Sequence, residues 1–98
     1  MKIWVDDLRT PPDDTWVWCK SSSGTIGILL VTKMLKFGNV SLMSLDHDLG
    51  GDDTTRPVVL WMCENDFWPD KVVVHSANPV GREWLEGMIK RYSGYEVQ

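Results

Sequence analysis

Aspartates occur in close couples along this 98-residue chain, and that spacing is the first indication of chemistry. Ten of the fourteen acidic residues are aspartates, and eight of them form couples: Asp6 with Asp7, Asp13 with Asp14, Asp46 with Asp48, and Asp52 with Asp53. Neighbouring carboxylates repel each other unless water or a cation screens them. Each couple therefore indicates either a solvated loop or a cation site.

Two of the couples directly follow apolar segments. Asp6 and Asp7 end the first apolar run of the chain, and Asp46, His47 and Asp48 end the third. Two carboxylates around an imidazole hold a hard divalent cation through oxygen ligands, or position a general base. We favour a ligand site at both places. The alternative for Asp6 and Asp7 is a solvated turn, and the alternative for Asp48 is a loop or cap role.

A third group of polar residues follows the fourth apolar run. His75 and Ser76 come first, and Asn78 before Pro79 is a strong helix start, with an N-cap and a proline at the first helical position. Arg82 then falls in the first helical turn, where the macrodipole disfavours a cation. Either a bound anion or neighbouring acids compensate for that charge. For His75, a hydrogen-bonded core position is the alternative to a ligand-facing one.

Apolar periodicity predicts the elements that position these residues. Four strands are predicted, at Lys2–Val5, Thr15–Lys20, Val40–Leu45 and Lys71–Val74. Three helices are predicted, at Ile26–Phe37, from Thr54 or Thr55 to about Asn65, and from the Asn78 cap to about Tyr92. The first helix rests on a near-helical repeat of Ile26, Leu29, Leu30, Lys33, Met34 and Phe37. The last is expected to bury Val80, Trp84, Leu85 and Met88.

The alternation of strands and helices predicts an α/β fold with a mainly parallel sheet, two of the three helices sharing one face. The segment Asp6–Asp14 contains two prolines and is predicted as a loop. It is short for a parallel crossover, which usually takes about a dozen residues. We favour a stretched loop that keeps the first two strands parallel over an antiparallel pair. Ser21–Gly24 is predicted as a plain loop rather than a phosphate cradle.

Composition excludes several classes of protein and site. A net charge of −4 argues against a surface that grips duplex DNA. No apolar run approaches the ~20 residues of a membrane span, and the start of the chain does not resemble a signal peptide. Two cysteines, Cys19 and Cys63, lack metal-binding spacing, so a reducing, cytoplasmic setting is expected. The tryptophans are expected mostly in the core, with base stacking by Trp4 or Trp68 as the alternative. The length predicts a single domain over residues 1–98.

Three blocks of sequence, in order, resemble one family. IWVDDLRTPP from Ile3, SLDHDLGGDDT from Ser44 and VHSANPVGREW from Val74 are similar to the cyclic-phosphate processing receiver domain. The resemblance implies a small, flavodoxin-like three-layer fold. It also implies that an acidic pair after the first strand and an aspartate after the third hold Mg²⁺ or Mn²⁺.

The resemblance assigns roles to particular residues. The implied metal ligands are Asp6, Asp7 and Asp46. The implied catalytic residues are His47, His75 and Asp48. The implied ligand-binding residues are Arg82 and Ser76, which matches the hydroxyl residue that follows the fourth strand. Arg9 and Asn78 are added as ligand-binding candidates because they follow the first and fourth strands, whose ends are expected at the same edge of the sheet. The implied ligand is a cyclic or phosphorylated nucleotide or an RNA terminus.

The sequence also departs from the receiver pattern. A proline-containing loop replaces the first receiver helix, and the sequence stops before a fifth strand and its lysine, which argues against a phosphorylation-driven switch. Three functions remain open. The first is a metal-dependent phosphodiesterase that acts on cyclic phosphates. The second is a protein that binds a cyclic nucleotide without turnover. The third, less favoured, is a phosphoacceptor with Asp46 as nucleophile.

Overall fold

The computed structural model of the chain describes residues 1–36 and 38–94. Seven elements alternate along it: β1 (Lys2–Val5), β2 (Trp16–Cys19), α1 (Ser22–Leu35), β3 (Leu42–Leu45), α2 (Arg56–Asn65), β4 (Lys71–Val74) and α3 (Pro79–Ser93). The predicted α/β fold, with four strands and three helices in the described residues, is confirmed. No helix in these ranges is long and apolar enough to cross a membrane.

The four strands form one parallel sheet in the order β2-β1-β3-β4. The parallel pairing of β1 with β2 confirms the stretched loop between them. Val5 lies opposite both Cys19 and Leu45, and Leu45 lies opposite Val74. All four strands therefore end at the same level, and the residues that follow them meet at one edge of the sheet.

All three helices lie on one face of the sheet. The crossovers through α1 and α2 run in the same direction across the sheet, so right-handed connections place both helices on the same side. In addition, α1 contacts α2, and α2 contacts α3. Beneath them lies a row of buried strand residues: Ile3, Val5, Cys19, Met43, Leu45, Val72 and Val74. The sequence predicted two helices on one face, whereas all three share it in the described residues, because a loop replaces the crossover helix that would lie on the opposite face.

Helix α1 begins earlier than the sequence predicts. Ser21 is its N-cap and accepts a hydrogen bond from the Gly24 amide, so most of the predicted serine loop is the first helical turn. The buried stripe is Thr25, Leu29 and Thr32, and the two threonine hydroxyls donate to helix carbonyls. That internal pairing lets threonine occupy a core position, which a repeat of purely apolar residues does not reveal.

As a result, the apolar repeat chosen for α1 is partly wrong. Leu29 is buried, but Leu30 is 42% exposed and Met34 is 68% exposed. Phe37 lies outside the described residues. The outer surface of α1 is consequently more apolar than the prediction implied.

Helices α2 and α3 begin where expected. Pro57 lies in the first turn of α2, and Asn78 caps α3 by accepting from the Gly81 amide. The predicted burial of Val80 is wrong, since 71% of it is exposed. The residue beside it, Gly81, is buried instead, because α3 packs with its backbone close to a side chain from the edge of the sheet.

Candidate metal and phosphate site

Three carboxylates meet where β1 and β3 end. Asp6 and Asp7 follow β1 and Asp46 follows β3, and an oxygen of each lies within 4.8 Å of the others. Asp6 is 1% exposed and Asp46 is 9% exposed. Oxygen donors from carboxylates are the ligands that Mg²⁺ and Mn²⁺ prefer, and a divalent cation offsets their mutual repulsion. We call these three residues the acid cluster, and its donor set fits the predicted cation.

Asp6 is held rigidly by donors on both of its oxygens. Oδ1 accepts from the Leu8 and Arg9 amides, both at 2.9 Å, and Oδ2 accepts from His75 Nε2 at 2.9 Å. Burial raises the pKa of Asp6, but the amides of Arg9 and Leu8 and the His75 ring outweigh it, so the pKa lies below its ordinary value. The carboxylate is therefore ionised and fixed in direction before any ligand arrives.

His75 connects the acid cluster to the sheet. Its Nδ1 lies 2.7 Å from the Ser44 hydroxyl, and its ring stacks on Trp4 with centroids 4.0 Å apart. An ionised carboxylate only accepts, so Nε2 carries the proton that is donated to Asp6. Together with Arg9, which donates to the His75 carbonyl at 2.9 Å, these residues form the His75 network.

Arg9 supplies a cation beside the acid cluster. Its Nε lies 3.8 Å from Asp6 Oδ2, and its side chain is 50% exposed. The guanidinium is thus anchored on one side and open to solvent on the other. That placement suits contact with the anionic oxygens of a ligand at the carboxyl edge of the sheet.

His47 belongs to a second network that joins the edge of the sheet to α2 and α3. Its Nδ1 lies 2.9 Å from Asp48 Oδ1, and its Nε2 accepts from Arg56 Nε at 2.9 Å. Arginine only donates, so Nε2 is unprotonated and Nδ1 donates to Asp48. Asp48 also accepts from Asn78 Nδ2 at 3.1 Å. His47, Asp48, Arg56 and Asn78, with Gly81, form the His47 network.

The His47 ring packs directly against the backbone of α3. A Cβ placed on Gly81 would lie 2.3 Å from His47 Cγ, far inside contact distance. Glycine therefore allows α3 to approach the ring, which is 7% exposed. Arg56 also lies over the Trp84 ring, 4.7 Å from its centroid, so α2 and α3 are joined through the same group.

Asp48 differs from its partner His47 in exposure. Its side chain is 61% exposed, and hydrogen bonds from His47 and then Asn78 lower its pKa. The structure therefore brings Asp48 to the surface beside the start of α3. The acid cluster does not include it.

The remaining predicted ligand contacts lie after β4. Ser76 is buried, and its Oγ accepts from the Asn78 amide at 3.1 Å. Arg82, by contrast, pairs with Glu86 one turn along α3, at 2.7 Å. Arg9, from the loop after β1, is the arginine next to Asp6.

The other aspartate couples have local roles. Asp53 caps α1: it accepts from the Ser22 amide at 2.8 Å and from the Ser22 hydroxyl at 2.6 Å. Burial raises the pKa of Asp53, but these bonds from Ser22 outweigh it and lower the pKa. Asp13 accepts from the Thr15 amide at 2.9 Å in the exposed loop. Neither contributes to the acid cluster.

Sequence reasoning missed three residues that organise the two networks. Ser44 is a polar residue within an apolar strand, on the opposite sheet face from Met43 and Leu45, which is a usable signal. Arg56 is a cation at a helix start, the same signal that drew attention to Arg82. Gly81 is a helix-interior glycine, which permits a close approach of another group, but Gly87 in the same helix shares that feature and has no such neighbour.

Comparison with known proteins gives one result. No curated protein sequence matches the chain. The family model described as the cyclic-phosphate processing receiver domain matches residues 1–91, nearly the whole length, and this range includes the acid cluster. This chain belongs to the cyclic-phosphate processing receiver domain family.

Proposed function

We propose that the chain binds a cyclic-phosphate nucleotide or RNA end through a Mg²⁺ or Mn²⁺ ion and hydrolyses the cyclic ester. The observation that carries the proposal is the acid cluster, in which carboxylate oxygens of Asp6, Asp7 and Asp46 lie within 4.8 Å of one another. The family assignment supplies the ligand class. The ordering of Asp6 by nearby backbone amides and His75 supports a site built before the ligand binds.

The proposed reaction adds one water to a cyclic phosphodiester. A P–O bond forms to the water oxygen, one ester P–O bond breaks, and the freed sugar oxygen takes a proton, leaving a phosphomonoester. A divalent cation at such a site polarises the phosphoryl group and lowers the pKa of bound water. The second ester oxygen stays attached throughout, so the ligand does not separate into two pieces.

In this proposal, two side chains of the protein bind the phosphate. The guanidinium of Arg9 is half-exposed and lies beside Asp6, and its positive charge compensates the anionic oxygens of the phosphate. The Ser76 hydroxyl is buried where β4 ends and accepts from the Asn78 amide, and a hydroxyl that accepts can also donate its own proton to a phosphoryl oxygen. We expect Arg9→Gln to weaken binding of a cyclic nucleotide about tenfold or more.

Binding without turnover is the second candidate, and one observation favours it. All four ring nitrogens of His47 and His75 already have hydrogen-bond partners. Either histidine must release a partner before it takes a proton from water. A protein that only sequesters the ligand needs no such step.

A turnover assay separates the two candidates. Purified protein is incubated with 2′,3′-cyclic and 3′,5′-cyclic nucleotides in Mg²⁺, in Mn²⁺ and in chelator, and the phosphomonoester is measured. Asp7→Asn is the test variant, since Asp7 is the more exposed neighbour of Asp6 in the acid cluster, and Asp14→Asn in the exposed loop is the matched control. Hydrolysis that requires the metal and Asp7 supports the enzyme. Metal-dependent binding without product supports sequestration. If wild type shows neither hydrolysis nor metal-dependent binding, both candidate functions are wrong.

A further inference from the structure

The sheet face opposite the helices carries a cluster of tryptophans. Strand alternation places Trp4, Trp16 and Trp18 on this face, and all three are partly exposed. In the ranges that the structure describes, no helix packs there, because all three lie on the other side. We call Trp4, Trp16 and Trp18, with Lys2 and Lys20, the tryptophan face.

The rings of the tryptophan face adjoin one another. Trp4 lies opposite Trp18 in the register of β1 and β2, and its ring meets Trp16 edge-on with centroids 5.6 Å apart. Trp16 and Trp18 are two residues apart on the edge strand, which spaces them by about 7 Å. The arrangement offers successive aromatic surfaces along one strand rather than a single isolated ring.

A lysine accompanies two of these rings. The Lys2 ammonium lies 4.7 Å from the Trp16 ring centroid, and the Lys20 ammonium lies 4.3 Å from that of Trp18. None of the strand residues of the sheet is acidic, although the chain as a whole has a net charge of −4. Asp13 in the adjoining loop is the acid whose pKa Lys2 helps to lower, after the larger effect of its hydrogen bonds from Thr15. Lys2 and Lys20 therefore supply two cations beside these rings.

The tryptophan face is continuous with the acid cluster. Trp18 Nε1 donates to the Asp6 carbonyl at 2.6 Å, and Trp4 stacks on His75, which holds the Asp6 carboxylate. Trp4 Nε1 also donates to the Arg9 carbonyl at 2.8 Å. A ligand that leaves the acid cluster along β2 therefore meets Trp18 first and Trp16 next.

We propose that the tryptophan face binds single-stranded RNA, whose terminal cyclic phosphate lies at the acid cluster; this inference rests on the proposed function. Bases stack on the partly exposed indoles of Trp16 and Trp18, and the phosphates between the bases pair with the ammonium groups of Lys2 and Lys20, which lie over these rings in the unliganded chain. Sequence-tolerant binding of single strands relies on this combination of aromatic platforms and cations. The preferred ligand is then an oligonucleotide end rather than a mononucleotide.

The test compares ligands of different length. Binding of a 2′,3′-cyclic mononucleotide, a tetranucleotide with the same end, and a tetranucleotide with a plain 3′-hydroxyl is measured by calorimetry and tryptophan fluorescence. We expect the cyclic tetranucleotide to bind at least about tenfold more tightly than the mononucleotide. Trp16→Leu, which keeps an apolar side chain, should remove about five- to a hundredfold of that affinity and leave mononucleotide binding unchanged.

The lysines give an independent measurement. Lys2→Gln with Lys20→Gln should lower the slope of log affinity against log salt by roughly 0.7 for each phosphate that a lysine no longer neutralises. Lys90→Gln, an exposed lysine on α3, is the matched control and should not change that slope. An unchanged slope in the double variant contradicts the proposal even if Trp16→Leu proves unstable.

Failure of this proposal is distinguishable from failure of the proposed function. In Asp7→Asn, the 3′-hydroxyl tetranucleotide should still bind while metal-dependent mononucleotide binding is abolished. If the mononucleotide binds to wild type and the tetranucleotide binds no better, the tryptophan face does not bind RNA and the proposed function stands. If sedimentation shows a dimer that Trp16→Leu dissociates, with no RNA binding, the face joins two copies of the chain and the proposal is wrong.

Discussion

The two histidines occupy similar positions in the sequence but belong to different networks. Each follows a parallel strand at the same edge of the sheet, and each has both ring nitrogens hydrogen-bonded. His75 directs its proton to Asp6 in the acid cluster, whereas His47 is fixed between Asp48 and Arg56 against α3. Position at a strand end therefore brings a histidine to the site edge without determining what it holds.

The difference arises from partners that are remote in sequence. His75 is oriented by Ser44 and Asp6, which are 31 and 69 residues away. His47 is oriented on one side by its neighbour Asp48 and on the other by Arg56 and the Gly81 backbone. The His75 network thus orders Asp6, a carboxylate of the acid cluster. The His47 network instead joins helices α2 and α3 to the edge of the sheet.

The largest expected effect is on the His47 network. Gly81→Ala places a methyl group 2.3 Å from His47 Cγ, so the ring or the helix backbone must shift. We expect a loss of unfolding free energy of about 1–3 kcal/mol, measured by urea denaturation. A Gly81→Ala protein as stable as wild type would contradict the packing of the ring against α3.

Gly87→Ala is the matched control in the same helix. A Cβ at Gly87 meets nothing within 4 Å, so no clash is expected. Replacing a helix-interior glycine by alanine should instead stabilise the protein by roughly 0.5–1 kcal/mol. Opposite signs for the two substitutions separate local packing from general helix propensity.

The next effect is a difference between the two histidines in how their loss changes stabilisation by metal. His75→Phe keeps a ring to stack on Trp4 but removes the donor to buried Asp6, at an expected cost of about 1–2 kcal/mol in the free energy of unfolding. It should also reduce the stabilisation gained from Mg²⁺ or Mn²⁺. His47→Phe should leave that gain intact, whatever its own cost in stability. Equal metal responses in the two variants, measured by thermal unfolding, would show that the networks do not differ in this way.

A smaller effect appears in acid. The pKa of Asp6 is lowered in the folded state from an ordinary value of 3.8, so its contribution to stability is present above about pH 4. That contribution disappears as the pH falls through the lowered folded-state value. Asp6→Asn should therefore show a shallower decrease of unfolding free energy below about pH 4 than wild type. Urea titrations between about pH 2 and pH 6 measure this, and identical slopes would contradict it.

The smallest effect concerns Arg82. It pairs with Glu86 at 2.7 Å, and both side chains are more than one-third exposed. Arg82→Ala should therefore cost at most about 0.5 kcal/mol in the free energy of unfolding. It should also weaken cyclic-nucleotide binding much less than Arg9→Gln. Calorimetry on the two variants makes the comparison, and a larger effect of Arg82→Ala would place the phosphate at the start of α3.

The sequence was sufficient to predict the strands and the parallel sheet. Short apolar runs that end in polar residues define β1 and β4. The acid cluster follows directly from where β1 and β3 end. The stripe of α1 was missed because Thr25 and Thr32 are buried through hydrogen bonds to backbone carbonyls of the same region of the chain. The layering was missed because it depends on the direction of each crossover.

The partners of the candidate residues were harder to predict. Arg82 and Arg56 both lie at helix starts, and only the packing of α2 beside α3 decides that Arg56 reaches His47. Likewise, nothing local distinguishes Gly81 from Gly87. Contacts between residues remote in sequence determine which polar residues meet, so candidates were found more readily than their partners.

The acid cluster as a cation site is the central claim, and thermal unfolding in Mg²⁺ or Mn²⁺ tests it most directly. A cation at about ten times its dissociation constant adds about 1.4 kcal/mol to the unfolding free energy, which raises the melting temperature of a domain this size by several degrees. We predict that rise for wild type and for Asp14→Asn, and its absence in Asp7→Asn. A wild-type melting temperature unchanged at millimolar concentrations of both ions would contradict the central claim.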